Sequence, residues 1–207
     1  DWVARNRALG RGRTRTIRIA AHSLFQIMQS HGVPRYCKVD IEGSDREAIR
    51  SLLGSSGELP PFISIESEKR DWERLMEELL LFRDLGYSRF KIIDQTLVRF
   101  QSCPAPPREG GACQHAFCDG SSGLFGDELP GVWLSFSEAV EAYRRIFVGY
   151  ALNGDNGMFR GGKGIFSFFR LAGATQGKIA RLRVKGDYLN PAYILPPAAW
   201  YDTHAAR

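Results

Sequence analysis

Lys38-Val39-Asp40-Ile41-Glu42-Gly43 is the stretch from which the fold can be read. Pro34 breaks the chain just before it, and Tyr36 to Ile41 is short and largely apolar, so the segment reads as a buried β-strand. Side chains alternate along a strand, which puts Lys38 and Asp40 on one face; Glu42 joins them if the strand runs that far. Gly43 permits a sharp turn or a close approach of backbone to a ligand. Ser44-Asp45-Arg46-Glu47 follows with the capping-box pattern, in which the serine hydroxyl takes the N–H three residues on and the glutamate reaches back. The helix it opens is expected to reach about Leu53 and stop at Gly54.

Outward from this unit the same alternation recurs. On the N-terminal side, Thr16 to Ala20 reads as a short strand and Ser23 to His31 as a helix, with Leu24, Phe25, Ile27 and Met28 apolar and Gly32 as its stop. On the C-terminal side, Phe62-Ile63-Ser64-Ile65-Glu66 is an apolar strand. Asp71 to Leu85 is the clearest helix, with Trp72, Leu75, Met76, Leu79 and Phe82 at helical spacing and Gly86 as its cap. Arg89 to Ile93 and Thr96 to Phe100 read as two more strands. Strands alternating with helices argue an α/β fold with a largely parallel sheet covered by helices. Composition then shifts at Ser102. Residues 102–131 are rich in Pro and Gly and read as a long loop, Ser135 to Tyr150 as an amphipathic helix, and 153–177 as a Gly-rich stretch carrying Phe159, Phe166, Phe168 and Phe169. Two regions are therefore expected, 1–101 and a loop-rich extension over 102–207.

The chain has 207 residues, 43% hydrophobic and 25% charged, enough to bury a core without staples. The net charge of +5 is mild, and the arginine cluster Arg5, Arg7, Arg11, Arg13, Arg15 and Arg18 carries no interleaved aromatics, so it reads as a solvated edge and no nucleic-acid partner is expected. No run of about 18 apolar residues and no signal peptide is present, so no membrane partner is expected and the reading is cytoplasmic.

The chemistry converges on the strand ends. In an open parallel sheet, ligands bind beyond the carboxyl ends of the strands. If the strand ending at Glu66 neighbours the one carrying Lys38 and Asp40, three carboxylates and a lysine meet on one rim. A carboxylate there suits removal of a proton from an attacking hydroxyl. The same acids suit a hard divalent cation that orients a substrate oxygen. A third reading has them cap helices and pair with Lys38 or Arg46.

KVDIEG, the FISIES strand, the long helix, and Leu85-Gly86-Tyr87 leading into Phe90-Lys91-Ile92-Ile93 together resemble the second half of the FkbM-family methyltransferases, as does His31-Gly32-Val33-Pro34 after the first helix. The similarity covers roughly residues 15–100. It implies a Rossmann-like class I methyltransferase sheet of which only the later strands are present. It further implies S-adenosylmethionine as donor, and O-methylation of a hydroxyl on a small molecule or glycan. On this resemblance Lys38, Asp40, Glu42 and Glu66 are the catalytic residues, and Asp40 and Gly43 touch the cofactor. The family's Gly-rich loop after the first strand has no counterpart upstream of residue 15, and the chain opens on Asp1. The expectation is therefore a fragment of a longer enzyme, poorly soluble alone because its first core strand is an open edge. The competing expectation is a non-catalytic carbohydrate-binding module that retains a Rossmann-like remnant and binds through its C-terminal aromatics.

Cys103, Cys113, His115 and Cys118 admit a zinc site, a disulfide or ordinary thiols, and their spacing favours the last. Cys37 faces away from Lys38, into the core. His204 near the terminus reads as exposed rather than as a base.

Overall fold

The structure is a computed structural model that describes residues 10, 17–54, 57–111, 113–154 and 199–207. Its frame is a four-stranded mixed sheet built from β1 (Tyr36–Val39), β2 (Phe62–Glu66), β3 (Arg89–Asp94) and β4 (Tyr201–Ala206), in the order β1-β2-β4-β3. β1 and β2 are parallel, while β4 runs antiparallel to both β2 and β3. β1, β2 and β3 therefore share one direction, and their carboxyl ends meet the start of β4 at a single edge. The α/β class is as the sequence implies, and the sheet is open. β4 comes from the stretch assigned to the extension, yet it lies between two strands of the first region.

Among the described residues, four helices accompany the sheet: α1 (Leu24–His31), α2 (Asp45–Arg50), α3 (Trp72–Asp84) and α4 (Phe136–Asn153). α1, α3 and α4 form where the sequence supplies both a cap and an apolar stripe. Ser23 and Ser135 make true capping boxes with Gln26 and Glu138, and the Asp71 carboxylate accepts from the backbone N–H groups of Glu73 and Arg74. Leu75, Leu79 and Phe82 of α3 and Ala139, Tyr143 and Ile146 of α4 pack on Val39, Ile63, Ile65, Phe90, Ile92 and Ala205, which forms the main core. Burying a leucine or phenylalanine of this set stabilises by about 1.5–3 kcal/mol.

The other sheet face carries Tyr36, Lys38, Ser64, Lys91, Asp202 and His204, and it is covered by loop instead of helix. Tyr36 stacks on Phe125 with ring centroids 4.5 Å apart, Phe62 lies against Trp133, and the Lys91 ammonium donates to the Leu129 carbonyl at 2.6 Å. Ile93, Val98, Leu124 and Leu129 make a small second core beneath this cover.

Several expectations are corrected. Residues 17–20 form no regular element, and Ile17 and Ile19 are exposed; Thr16 lies outside the described residues. Thr96 to Phe100 is no strand but part of a 3-10 helix, Gln95–Phe100, because the Asp94 carboxylate accepts from both the Thr96 N–H and its hydroxyl and turns the chain there. The Ser44 capping box does not form, since Ser44 sits at φ −113°, ψ 17° instead of the extended conformation that a capping hydroxyl needs. Asp45 acts in its place and accepts from the N–H groups of Ile41 (2.9 Å) and Gly43 (3.0 Å), which folds the chain back after β1. His204 is not exposed; it is a buried member of the central strand β4. The Gly-rich stretch with Phe159, Phe166, Phe168 and Phe169, like Tyr188 and Tyr193, lies outside the described residues.

Candidate functional site

A cleft of about 460 Å³ opens at the edge where the carboxyl ends of β1, β2 and β3 meet the start of β4. Its walls are built from every strand. β1 contributes Lys38 and, just beyond its end, Asp40; β2 contributes Glu66; Gln95, Thr96 and Arg99 follow β3. Trp200 and Asp202 flank the start of β4, and Asp119, Gly120 and Ser121 come from the covering loop. Such a place beyond the carboxyl ends of co-directional strands is where open α/β sheets bind ligands.

The floor is an ion pair. Register places Lys38 beside Ser64, and Asp202 beside Glu66. The Lys38 ammonium reaches the Asp202 carboxylate at 2.9 Å and Asp40 at 3.6 Å. Asp202 is almost fully buried, and burial pushes its pKa up to about 6 even though Lys38 pulls the other way. Burial also opposes the charge on Lys38, but Asp202 and Asp40 together outweigh it and leave the ammonium above the ordinary lysine value. Around this floor, Glu66 pairs with Lys69 at 3.1 Å and Arg99 pairs with Asp119 at 3.3 Å. Lys69 also lies over the exposed ring of Trp200, 5.4 Å from its centroid. The Gln95 Nε2 is buried in the wall with no hydrogen-bond partner. The lining holds four carboxylates and two cations, with Lys69 a third cation at its edge, so the cleft keeps a small acidic surplus and favours neutral or cationic ligands over anions.

Of the residues singled out from sequence, Lys38, Asp40 and Glu66 come together in the cleft. Glu42 and Gly43 do not line it. Glu42 is exposed and holds a left-handed backbone at φ 57°, and Gly43, at φ 113°, serves the Asp45 turn described above. Asp202, Gln95, Thr96, Arg99, Asp119 and Ser121 were not found by sequence reasoning, whereas Trp200 belongs to the C-terminal aromatics that the sequence offered as a sugar-stacking surface. Two signals pointed that way: the period-two pattern Tyr201-Asp202-Thr203-His204-Ala205, and the Asp-x-Thr spacing of Asp94 and Thr96, which favours a local turn.

Cys37 packs at the edge of the main core. Among the described residues, no three His, Cys, Asp or Glu side chains are assembled so as to hold a metal ion. Neither a Cys₃His centre nor a carboxylate site for a divalent cation therefore has its donor set there. No helix among the described residues is long and apolar enough to cross a membrane.

No family model, no curated protein and no solved structure matches this chain.

Proposed function

We propose that the cleft is the acceptor side of an S-adenosylmethionine-dependent O-methyltransferase site, with a small-molecule or glycan hydroxyl as acceptor. The observation that supports this most is the Lys38–Asp202 pair in the floor of a cleft at the carboxyl ends of β1 and β2, beside Asp40 and Glu66. A carboxylate whose pKa stands near 6 is mostly ionised at neutral pH yet basic enough to accept a hydroxyl proton. Lys38 keeps that carboxylate charged. Asp40 and Glu66, on either side, accept hydrogen bonds from the acceptor and aim its oxygen.

The surplus of carboxylates suits a sulfonium cation, and Gln95 offers a buried donor to an oxygen of whatever enters. The residues thus fit the reactive end of the donor. When bound, the donor supplies an electrophilic methyl group. The chain's own part is to hold the hydroxyl oxygen in line, remove its proton and exclude water, so that geometry carries much of the rate.

The exposed Trp200 at the cleft mouth supports a second reading, a carbohydrate-binding module in which the ring stacks on a sugar and no chemistry follows. One experiment separates the two. Calorimetry with S-adenosylmethionine, then transfer of a labelled methyl group to a panel of hydroxyl acceptors, is run on the full-length gene product and on its Asp202→Asn variant. The enzyme reading expects binding by both, and a fall in turnover of about 10²-fold or more in the variant. Sugar binding without any affinity for the donor overturns it in favour of the module.

A further inference from the structure

Lys69 leaves the chain in the short connection between β2 and α3, and its side chain is only 16% exposed. Its ammonium pairs with the Glu66 carboxylate at 3.1 Å and lies 5.4 Å from the centroid of the Trp200 ring and 6.0 Å from that of Tyr150 on α4. Two aromatic rings and one carboxylate around a single positive charge are the elements of a cation box. Its walls are held by the backbone. Glu66 ends β2, and the next residue, Ser67, donates its N–H to the Tyr201 carbonyl at 2.8 Å. The Trp200 carbonyl accepts from the Gln95 N–H at 2.8 Å. The loop under Lys69 is held as well, because Glu68 Oε1 accepts from the N–H groups of Lys69 and Arg70, each at 2.8 Å. The Lys69 ammonium itself ends a flexible four-carbon stem, so it can swing out without disturbing loop or walls. Glu66 and Trp200 also line the cleft, so the box adjoins it.

We propose that Trp200, Tyr150 and Glu66 form a site for a quaternary ammonium group at the cleft mouth, held by Lys69 until a ligand's cationic head displaces it. The exchange is favourable on hydration grounds. A lysine ammonium is compact and strongly hydrated, so it regains water when it leaves the box. A quaternary ammonium is bulky and carries no N–H to hydrate, and it gains most from ring faces. The Glu66 carboxylate supplies the charge in both states. Departure of Lys69 also removes a cation from the edge of the cleft and deepens its acidic surplus. The box serves a methyl acceptor and a ligand bound without chemistry equally, so it does not rest on the enzyme reading.

The test is calorimetry with choline at fixed ionic strength on the full chain, on Lys69→Ala, and on Lys69→Ala combined with Trp200→Ala. Lys69 stands in a loop and Trp200 is 59% exposed, so the fold is expected to survive both changes, checked by far-ultraviolet circular dichroism. Lys69→Gln, which keeps a stem and loses the charge, is the second variant. The expected result is weak binding by the full chain, binding about tenfold tighter in Lys69→Ala, and a loss of that gain when Trp200 is also removed. Lys69→Gln is expected to shift affinity in the same direction as Lys69→Ala. The uncharged alcohol in which a carbon replaces the choline nitrogen is expected not to bind. Absence of choline binding by both folded Lys69 variants overturns the proposal. So does an affinity that Trp200→Ala leaves unchanged, or equal binding of the uncharged alcohol.

Discussion

The two faces of the sheet are made of different material. One carries Cys37, Val39, Ile63, Ile65, Phe90 and Ile92 under α3 and α4 and is closed by aliphatic and aromatic packing. The other carries Tyr36, Lys38, Ser64, Asp202, His204 and Lys91 under a loop. The difference teaches where stability and function separate in this chain. The helical face is apolar and non-directional, so it tolerates nothing in particular and everything of the right size. The loop face consists of polar side chains that need named partners, and its open end is the cleft. Breaking the first face should cost stability at every pH. Breaking the second should cost an amount that pH controls.

The largest effect is expected from the helical face. Phe82 is fully buried and meets Tyr87 edge to face, with centroids 5.9 Å apart. Phe82→Ala is expected to lower unfolding free energy by about 3–5 kcal/mol, equally at pH 5 and pH 8, by urea denaturation. A strong pH dependence of that loss would dissolve the contrast between the faces.

Next comes the floor of the cleft. Lys38→Met leaves the buried Asp202 carboxylate without its cation. The loss is expected to be about 3 kcal/mol at pH 8. Asp202 has a folded pKa of about 6 even with Lys38 pulling it down, and loss of the cation raises it further, so as pH falls the variant takes up the proton before the wild type does and the orphaned charge disappears. The cost should therefore shrink by more than half at pH 5. Equal costs at both pH values would mean that Asp202 is not the partner that matters.

These two faces were unequally legible in the sequence, for a physical reason. Phe62–Glu66, α3 and α4 were readable because burial of one helix or strand face imprints a period on the local sequence. Lys38, Asp40 and Glu66 were readable because they sit on that local frame. Asp202 was not. Tyr201–Ala206 holds no large aliphatic side chain and only Tyr201 as a bulky apolar ring, and its place between β2 and β3 is set by a return across about a hundred residues of chain. Thr96 was mistaken for strand because Thr96 to Phe100 looks apolar enough, while the hydrogen bonds from Thr96 to Asp94 decide the turn. Long-range register and side-chain caps leave weak marks in a single sequence; periodic burial leaves strong ones.

The helical face also holds polar groups, among them the buried hydroxyls of Ser67, Tyr143 and Thr203, and its buried carboxylate sharpens the comparison. Glu78 of α3 is 6% exposed, accepts from the Glu68 N–H at 3.1 Å, and has its pKa pushed up to about 8 by burial, with Glu68 and Asp45 adding to the shift and Arg46 opposing it. The folded state holds this proton between about pH 4.5 and 8 while the unfolded chain releases it. Glu78 therefore costs stability as pH rises through that window. Glu78→Gln keeps an acceptor for Glu68 and removes the titration. The variant should be more stable by about 2 kcal/mol at pH 7.5 and close to wild type at pH 5, read as the difference in urea midpoints.

The smallest effect has the opposite sign of pH dependence and belongs to the loop face. His204 is buried beside Tyr36, its Nε2 has no partner, and burial, with Lys38 and Lys91 nearby, pushes its pKa down to about 3. The unfolded chain protonates this histidine below about pH 6.5 and the folded protein does not, so the wild type loses stability as pH falls from 6.5 toward 3. His204→Phe removes both the orphaned nitrogen and the titration, and keeps a ring for Tyr36. Against wild type it should be nearly neutral at pH 8 and more stable by about 1 kcal/mol at pH 5.5. Asp202 titrates in an overlapping range with the reverse sign, but it is present in both proteins and cancels in their difference. A gain that is flat with pH would assign the effect to packing alone. A gain that grows as pH falls identifies the polar face as the acid-sensitive half of the sheet, and Glu78 as the base-sensitive group of the other.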